Sequence, residues 1–236
     1  MSTNYYIEFE KQIDEIDKKY LSRIEKNTEK NSEKDTKNDI KKPSLLLQAC
    51  CCPCSTHCLE VLVDHFDITV FFYNPNIDEK DEFQKRLDEL YRFTREAEFA
   101  LDVKVVEGPY EPEVFYEMAK GREDLPERGA RCYDCYELRL RKTAEYAKEH
   151  SFDYFSTTLS ISPYKNAEWL NEIGLRLEKE YGASTFLFSD FKKKNGYKRS
   201  IELSEEYSLY RQDYCGCVFS KRDRDKKKQE KLKMNQ

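Results

Sequence analysis

The hydrophobic positions of the chain form short, continuous apolar runs, separated by longer segments in which apolar residues recur at helical spacing. The short runs are typical of strands buried on both faces, and the longer segments are typical of amphipathic helices. Turn residues end the runs, as Asn74-Pro75-Asn76 does. Five strands are predicted, over residues 45–49, 68–73, 102–106, 152–157 and 185–188.

Helical patterns lie between and beyond these strands. They predict helices over residues 55–65, 78–101, 111–120, 131–149, 166–181 and 202–211, and an amphipathic helix over residues 5–24. Regular alternation of strand and helix predicts an α/β fold with three layers around a mostly parallel open sheet. In such sheets, ligands bind outside the carboxyl ends of the strands.

The domain organisation follows from where the apolar pattern stops. Residues 1–42 are predicted to be a helical extension, in which residues 27–42 form a charged, flexible linker with almost nothing to bury. Residues 43–220 are predicted to be one catalytic α/β domain. Residues 221–236 form a basic C-terminal tail with no apolar face.

Composition and charge narrow the classes of function. Charged residues make up 37% of the 236 residues, so no stretch approaches the roughly 18 apolar residues of a membrane span. No secretory signal pattern opens the chain, and we expect a protein of the cytoplasm without membrane contact. The net charge of −5 argues against indiscriminate nucleic-acid binding, although basic runs occur locally.

Cysteine usage carries the candidate chemistry. Eight of the nine cysteines fall into three tight groups, which are Cys50, Cys51, Cys52 and Cys54, then Cys132 and Cys135, then Cys215 and Cys217. The ninth, Cys58, is predicted to face the core from a helix. In a reducing compartment, such groups indicate metal or redox chemistry more often than structural bridges.

The three groups suit different tasks. Two adjacent thiols at a strand end, together with a CxxC, offer four sulfur ligands, enough for tetrahedral Zn²⁺ or for a [4Fe–4S] cluster, and spacing does not decide between them. The pair Cys215-Gly216-Cys217 can close a small, strained and therefore labile disulfide. It can equally supply two more metal ligands or two inert buried thiols.

Four motifs resemble those of the epoxyqueuosine reductases of the QueH type, and they occur in that family's order over residues 44 to 220. The first is the strand that ends in Cys50-Cys51, and the second surrounds Cys132 and Cys135. The others are Thr157-Thr158-Leu159 with Ser162-Pro163-Tyr164-Lys165, and Arg211-Gln212 with Tyr214-Cys215-Gly216-Cys217-Val218-Phe219-Ser220.

The resemblance implies reduction of epoxyqueuosine to queuosine at the wobble position of tRNA, without cobalamin. It implies a fold similar to adenine-nucleotide α-hydrolase-like (Rossmann-like) domains. It also implies a [4Fe–4S] cluster on four thiols and a redox-active pair at Cys215 and Cys217. The implied cluster ligands are Cys50, Cys51, Cys132 and Cys135.

This sequence departs from the family pattern at two positions. Gln48 stands where a histidine is common, and Cys52 stands where alanine is usual. The additional thiol leaves the choice of ligands within the first cysteine group open. Cys54 is a candidate ligand for an additional iron.

The partners expected are tRNA carrying epoxyqueuosine and an unidentified electron donor. Tyr164, Lys165 and Arg139 are the candidates for holding the nucleotide, because aromatic and basic side chains recognise unstacked bases and phosphates. Two rival functions remain at this point. One is a zinc-stabilised RNA-binding module without catalysis, and the other is a sulfur-transfer enzyme that acts on tRNA through a cysteine persulfide.

Overall fold

The computed structural model describes residues 3–30 and 41–234, without the side chains of residues 28–30. Its strands form one parallel sheet in the order β3-β2-β1-β4-β5. The strands are β1 (Ser44–Gln48), β2 (Asp67–Phe72), β3 (Lys104–Glu107), β4 (Tyr154–Thr157) and β5 (Thr185–Phe186). All five predicted strands are present, and the predicted open α/β sheet is confirmed.

Helices connect the strands and extend beyond both ends of the sheet. They are α1 (Tyr5–Lys30), α2 (Cys52–Leu62), α3 (Lys80–Glu96), α4 (Pro112–Ala119), α5 (Ala130–Glu149), α6 (Ala167–Tyr181), α7 (Gly196–Glu206) and α8 (Val218–Met234). Short 3₁₀ turns follow α3 and β4. Over residues 3–30 and 41–234, none of the helices combines the length and the apolar character needed to span a membrane.

Side chains of β1 alternate between two helical layers, because successive residues of a strand point to opposite faces. Leu45 and Leu47 join the buried cluster formed with α1, α2 and α3. Leu46 joins the cluster formed with α5 and α6 on the other face. Each fully buried leucine contributes about 1.5–3 kcal/mol. A third, smaller cluster joins α4, α5 and the start of α8.

The strand order places a topological switch point between β1 and β4. From β1 the chain moves through β2 to β3 on one side, and it later adds β4 and β5 on the other side. The crossovers diverge there, so a crevice opens outside the carboxyl ends of these two strands. The end of β1 leads into the first cysteine group, and the end of β4 leads into residues 158–165.

The predicted last core helix, 202–211, has the wrong boundaries. The structure begins α7 at Gly196, after Asn195 in the left-handed region with a φ of 66°, and ends it at Glu206. At the end of the helix, Arg92 donates from Nη2 to the carbonyl of the C-cap residue Tyr207 at 3.0 Å. Leu209 then packs into the core. These contacts come from distant parts of the chain and leave no local sequence signal.

The predicted N-terminal helix is confirmed and continues to Lys30, so it overlaps the predicted linker 27–42. Residues 31–40 of that linker lie outside the described residues. The basic tail forms most of helix α8. Lysine, glutamine and glutamate favour helix even without an apolar face, which explains why the hydrophobic pattern does not reveal α8.

A glutamine of α1 covers the edge of the sheet at β5. Gln12 donates from Nε2 to the carbonyl of Phe186 and accepts from the backbone N–H of Phe188, both at 3.0 Å. Gln12→Ala is expected to destabilise the protein by about 1–3 kcal/mol, the value of two hydrogen bonds. Urea unfolding measures this difference. Lys11→Ala, which removes an exposed charge on the same helix, is the control, and equal loss from both variants would contradict the role of Gln12.

Candidate active site

Three thiols meet where β1 passes into α2. Cys51 is the N-cap residue of α2, and Cys54 lies three residues later in its first turn, with Pro53 between them. An N-cap side chain faces the third residue of its helix, so these two thiols are neighbours. The Sγ atoms of Cys50, Cys51 and Cys54 all lie within 4.8 Å of one another, and those of Cys50 and Cys51 are 3.7 Å apart.

Hydrogen bonds among these three thiols give them different pKa values. Hydrogen bonds from Cys50 and Cys54 lower the pKa of Cys51 well below its usual range. Hydrogen bonding to Cys51 raises the pKa of Cys50 to about 12, and hydrogen bonding to Cys50 and Cys51 also raises the pKa of Cys54. These hydrogen bonds therefore favour the thiolate form at Cys51 over the thiolate form at Cys50 or Cys54.

The remaining thiols of this region point elsewhere. Cys52 lies in the core cluster on the opposite face of the sheet, and burial raises the pKa of its thiol. Cys58 is fully buried in the same cluster, and its Sγ donates to the carbonyl of Cys54 at 3.2 Å, as expected of a core-facing helix residue. The extra thiol of this sequence, Cys52, is thus separated from the Cys50–Cys51–Cys54 group.

The CxxC of α5 approaches from the neighbouring helical layer. Cys132 lies in the first turn of α5 and accepts a hydrogen bond from the backbone N–H of Arg128 at 3.3 Å. It packs against the buried cluster that contains Cys50 and Cys51. Cys135 is buried in the smaller cluster with Cys217, and burial raises the pKa of Cys135 to about 12.

The CxC lies in the loop that precedes α8. The Sγ of Cys215 is 3.0 Å from the Nζ of Lys165, in the segment that follows β4. Cys217 is buried, and its Sγ accepts from the backbone N–H of Ser220 at 3.4 Å. Gly216 has a φ of 118°, and a Cβ there would lie 2.8 Å from Ile77, so only glycine fits between the two thiols.

Arg139 connects the three cysteine groups. Its side chain is fully buried, and its Nε donates to the carbonyl of Cys135 at 3.2 Å. Burial opposes its charge, but the thiols of Cys135, Cys215 and Cys50 outweigh that effect and raise the pKa of the guanidinium. One cysteine from each group therefore interacts with a single cation.

The outer donors of Arg139 are unusual for a buried side chain. Neither Nη1 nor Nη2 has a hydrogen-bond partner among the described residues. Arg139→Met is expected to stabilise the metal-free protein by about 1–3 kcal/mol, because it removes two buried N–H donor groups that have no hydrogen-bond partner among the described residues. Thermal unfolding of the apoprotein measures the change.

The matched control is Arg141→Met on the same helix. Arg141 is partly exposed and forms ion pairs with Glu137 and Glu180, so its replacement is expected to cost up to about 1 kcal/mol. A loss of stability in the Arg139 variant as large as that of an ordinary core mutation would contradict the assignment of Arg139 to ligand binding.

A cavity of about 530 Å³ opens beside these thiols, a volume typical of small-molecule sites. Cys50, Cys54 and Cys215 line it, so two of the three cysteine groups face the same space. All three predicted nucleotide-binding candidates, Tyr164, Lys165 and Arg139, also line it. The Tyr164 ring is exposed at the mouth, 4.9 Å from the guanidinium of Arg128.

Two polar residues of the site have roles that the sequence does not indicate. Arg86 of α3 is buried, pairs with Glu82 and donates to the carbonyl of Cys215 at 3.1 Å, although the pattern of its helix predicts an exposed charged surface. Gln48, at the end of β1, donates to the carbonyl of Tyr73 at 3.1 Å and accepts from Thr157 at 2.7 Å. It ties together the ends of three strands beneath the crevice.

The donor set is suited to a metal. Sulfur ligands about 2.3 Å from a tetrahedral ion lie roughly 3.8 Å apart, close to the separation of Cys50 and Cys51. Thiolates bind zinc and iron–sulfur centres alike. The free donors of Arg139 would be satisfied by an anionic group at this end of the sheet. Cys50, Cys51 and Cys54 can therefore hold a metal.

The fold and the site define a parallel α/β protein whose thiol-lined cavity lies at the switch point of the sheet. A family model described as "Epoxyqueuosine reductase QueH" matches residues 45–223. The chain belongs to this family, which confirms the resemblance seen in the sequence. The match includes all three cysteine groups and ends within the first two turns of α8.

Curated relatives carry the same name, Epoxyqueuosine reductase QueH. The protein of Streptococcus pyogenes serotype M1 is 46% identical over 181 residues, which cover 76% of this chain and 71% of the relative. That of Staphylococcus epidermidis is 44% identical over 184 residues, with coverages of 76% and 77%. That of Thermotoga maritima is 36% identical over 187 residues, with coverages of 78% and 93%.

Proposed function

We propose that this protein is an epoxyqueuosine reductase, an oxidoreductase that converts epoxyqueuosine to queuosine at the wobble position of tRNA. Membership of the QueH family supports the reaction. The observation that carries the proposal is the cavity of about 530 Å³ that Cys50, Cys54 and Cys215 line together with Arg139, and this volume can take a nucleoside. Electron-donating thiols and a substrate site are thereby adjacent.

The CxC pair can supply the electrons and protons that the reaction consumes. Removing the epoxide oxygen as water, with formation of a carbon–carbon double bond, takes two electrons and two protons. Oxidation of the Cys215 and Cys217 thiols to a disulfide releases both. Cys215 lines the cavity, whereas Cys217 is buried and is not part of the cavity lining. An electron donor outside this chain must then reduce the disulfide for the next cycle.

Lys165 contacts the sulfur atom of Cys215. Burial disfavours the charged form of Lys165. The Cys215 and Tyr136 side chains have the larger effect, and they raise the pKa of the Lys165 ammonium. Lys165 therefore stays protonated over the physiological pH range, and it donates a hydrogen bond to the sulfur at 3.0 Å. This contact fixes the position of the Cys215 sulfur at the wall of the cavity.

The metal centre we propose is a [4Fe–4S] cluster on Cys50, Cys51, Cys132 and Cys135, with Cys54 as a ligand of an additional iron. Cys132 packs against the buried side chains around Cys50 and Cys51, which supports Cys132 as a ligand. When bound, such a centre supplies single electrons and a Lewis acid for an oxygen atom. Cys51 would enter the ligand set as a thiolate, because its pKa is already lowered.

The substrate side of the cavity is formed by Tyr164, Lys165 and Arg139. A wobble base lies in a single-stranded loop, and proteins recognise such bases by stacking them on aromatic rings. The exposed ring of Tyr164 at the mouth offers such a surface.

Free thiols and a tRNA substrate are both consistent with our placement of the reaction in the cytoplasm.

Mass spectrometry of nucleosides tests the function. Anaerobically purified protein, a chemical reductant and tRNA carrying epoxyqueuosine are expected to yield queuosine, with matching loss of epoxyqueuosine. Thiolated nucleosides with epoxyqueuosine unchanged would favour the sulfur-transfer alternative. A colourless protein with one zinc and no nucleoside change would favour the RNA-binding module, whereas a brown iron-containing protein is expected.

A further inference from the structure

One face of helix α8 lines the cavity beside the cysteines. Its basic residues there are Arg224, Lys227, Lys228 and Lys231. Positions 227 and 228 follow 224 by three and four residues, and position 231 follows them by four and three, so the four side chains form one stripe. The family match ends at residue 223, before all four of them. This stripe therefore lies outside the segment that matches the family model.

The walls of the cavity are basic in a protein that is acidic as a whole. Among the described residues, seven basic side chains and three acidic ones line the cavity, whereas the net charge of the chain is −5. Two of the stripe residues are partly neutralised, because Arg224 and Lys228 each contact Asp213 at 2.6 Å. Lys227 and Lys231 are exposed and form no ion pair with any described residue. The stripe thus presents unneutralised positive charge to the cavity mouth.

The position of α8 depends on polar contacts beyond its first turn. Phe219 and Ser220 are buried, and Lys221 pairs with Glu79. The remaining helix has no apolar stripe to bury against the domain. Contacts of Arg224 and Lys228 with Asp213, two residues before Cys215, hold its inner face at the cavity. The basic stripe is in this way fixed next to the redox pair.

We infer that the cavity-facing stripe of α8 binds the sugar–phosphate backbone of RNA on either side of the base that enters the cavity. This inference rests on the proposed function, because the substrate base is then part of a tRNA anticodon loop. Lysine contacts to phosphate add affinity and fix orientation without reading sequence. Lys227 and Lys231 are the principal contacts, because no carboxylate competes for them among the described residues.

The opposite face of the same helix supplies a matched control. Lys226 and Lys233 do not line the cavity, and at 100° per residue they lie on the side of α8 away from the stripe. The variants Lys227→Ala/Lys231→Ala and Lys226→Ala/Lys233→Ala remove the same charge from the same helix. They differ only in the face that loses it.

The experiment measures binding of full-length, iron-loaded protein to tRNA over a series of salt concentrations. Loss of two phosphate contacts is expected to reduce the slope of log affinity against log salt by about 1.4 to 1.8 in the Lys227/Lys231 variant. The Lys226/Lys233 variant is expected to keep the wild-type slope. The KM for tRNA should rise in the Lys227/Lys231 variant and should stay at the wild-type value in the Lys226/Lys233 variant.

Equal slopes for the two variants, or an unchanged slope in the Lys227/Lys231 variant, would overturn the inference. The same samples are assayed for conversion of epoxyqueuosine. If wild-type protein binds tRNA with the expected difference between variants but converts no epoxyqueuosine, the proposed reaction fails and the phosphate-binding role of α8 stands. If conversion occurs and the slopes do not differ, the reaction stands and the role of α8 fails.

Discussion

Replacing Cys215 or Cys217 by serine is expected to reduce the multiple-turnover rate of epoxyqueuosine reduction by at least about a hundredfold. The loss should appear in kcat, because a residue that acts only in the reaction does not contribute to substrate binding. Serine cannot form the disulfide that releases two electrons. The metal content and the visible spectrum of both variants should remain close to wild type, since neither thiol belongs to the Cys50–Cys51–Cys54 group.

Two measurements on one sample test this expectation. Nucleoside mass spectrometry under multiple-turnover conditions gives the rate, and iron analysis gives the metal content. Cys58→Ala is the control for loss of a thiol, because Cys58 is buried in the core away from the cavity. If iron content collapses in the Cys215 or Cys217 variant, the CxC ligates metal, and its assignment as a redox pair is wrong.

The second large effect concerns the metal ligands. Cys51→Ser is expected to weaken iron binding by more than about a hundredfold, because even changes to residues behind the ligands cost about 10–100-fold. Cys51 belongs both to the four-thiol set and to the compact Cys50–Cys51–Cys54 group, and it is the thiol whose pKa is lowered. Iron and acid-labile sulfide per chain, after anaerobic reconstitution, measure the loss.

Two further variants separate the possible ligand sets. If four irons are held by Cys50, Cys51, Cys132 and Cys135, Cys132→Ser loses the cluster, and Cys54→Ser loses at most the additional iron. If the compact group Cys50, Cys51 and Cys54 holds a single ion, the outcome is reversed. Retention of full iron and sulfide in the Cys132 variant would therefore contradict the proposed [4Fe–4S] ligation.

The sheet was largely predictable because its strands are buried on both faces. A strand such as β1 needs apolar side chains at successive positions, and this leaves a pattern that few other structures produce. Helix boundaries were less predictable, since they depend on contacts between distant residues. The hydrogen bond from Arg92 to the carbonyl of Tyr207 and the packing of Leu209 end α7 early, and neither has a local signature.

The sequence pointed to the thiols of the site and to the cations Lys165 and Arg139, but not to Arg86. Three cysteine groups are visible as spacing, and Cys51-Cys52-Pro53-Cys54 is itself a CxxC that begins a helix, a signal that points to Cys54. Arg86 could not be found in this way, because an arginine in a charged helix is expected to be exposed. Its burial next to Cys215 arises only when α3 packs beneath the CxC loop.

The sequence by itself determined the alternation of strands and helices, the family, and which residue types are available for chemistry. These follow from local periodicity and from short motifs, which are properties of neighbouring positions in the chain. Only the tertiary structure decided the strand order, the face that each thiol occupies, and the cavity that Cys50, Cys215 and Arg139 share. Such proximity depends on how distant segments pack, and one residue of register or rotation turns a thiol from the cavity into the core, as Cys52 demonstrates.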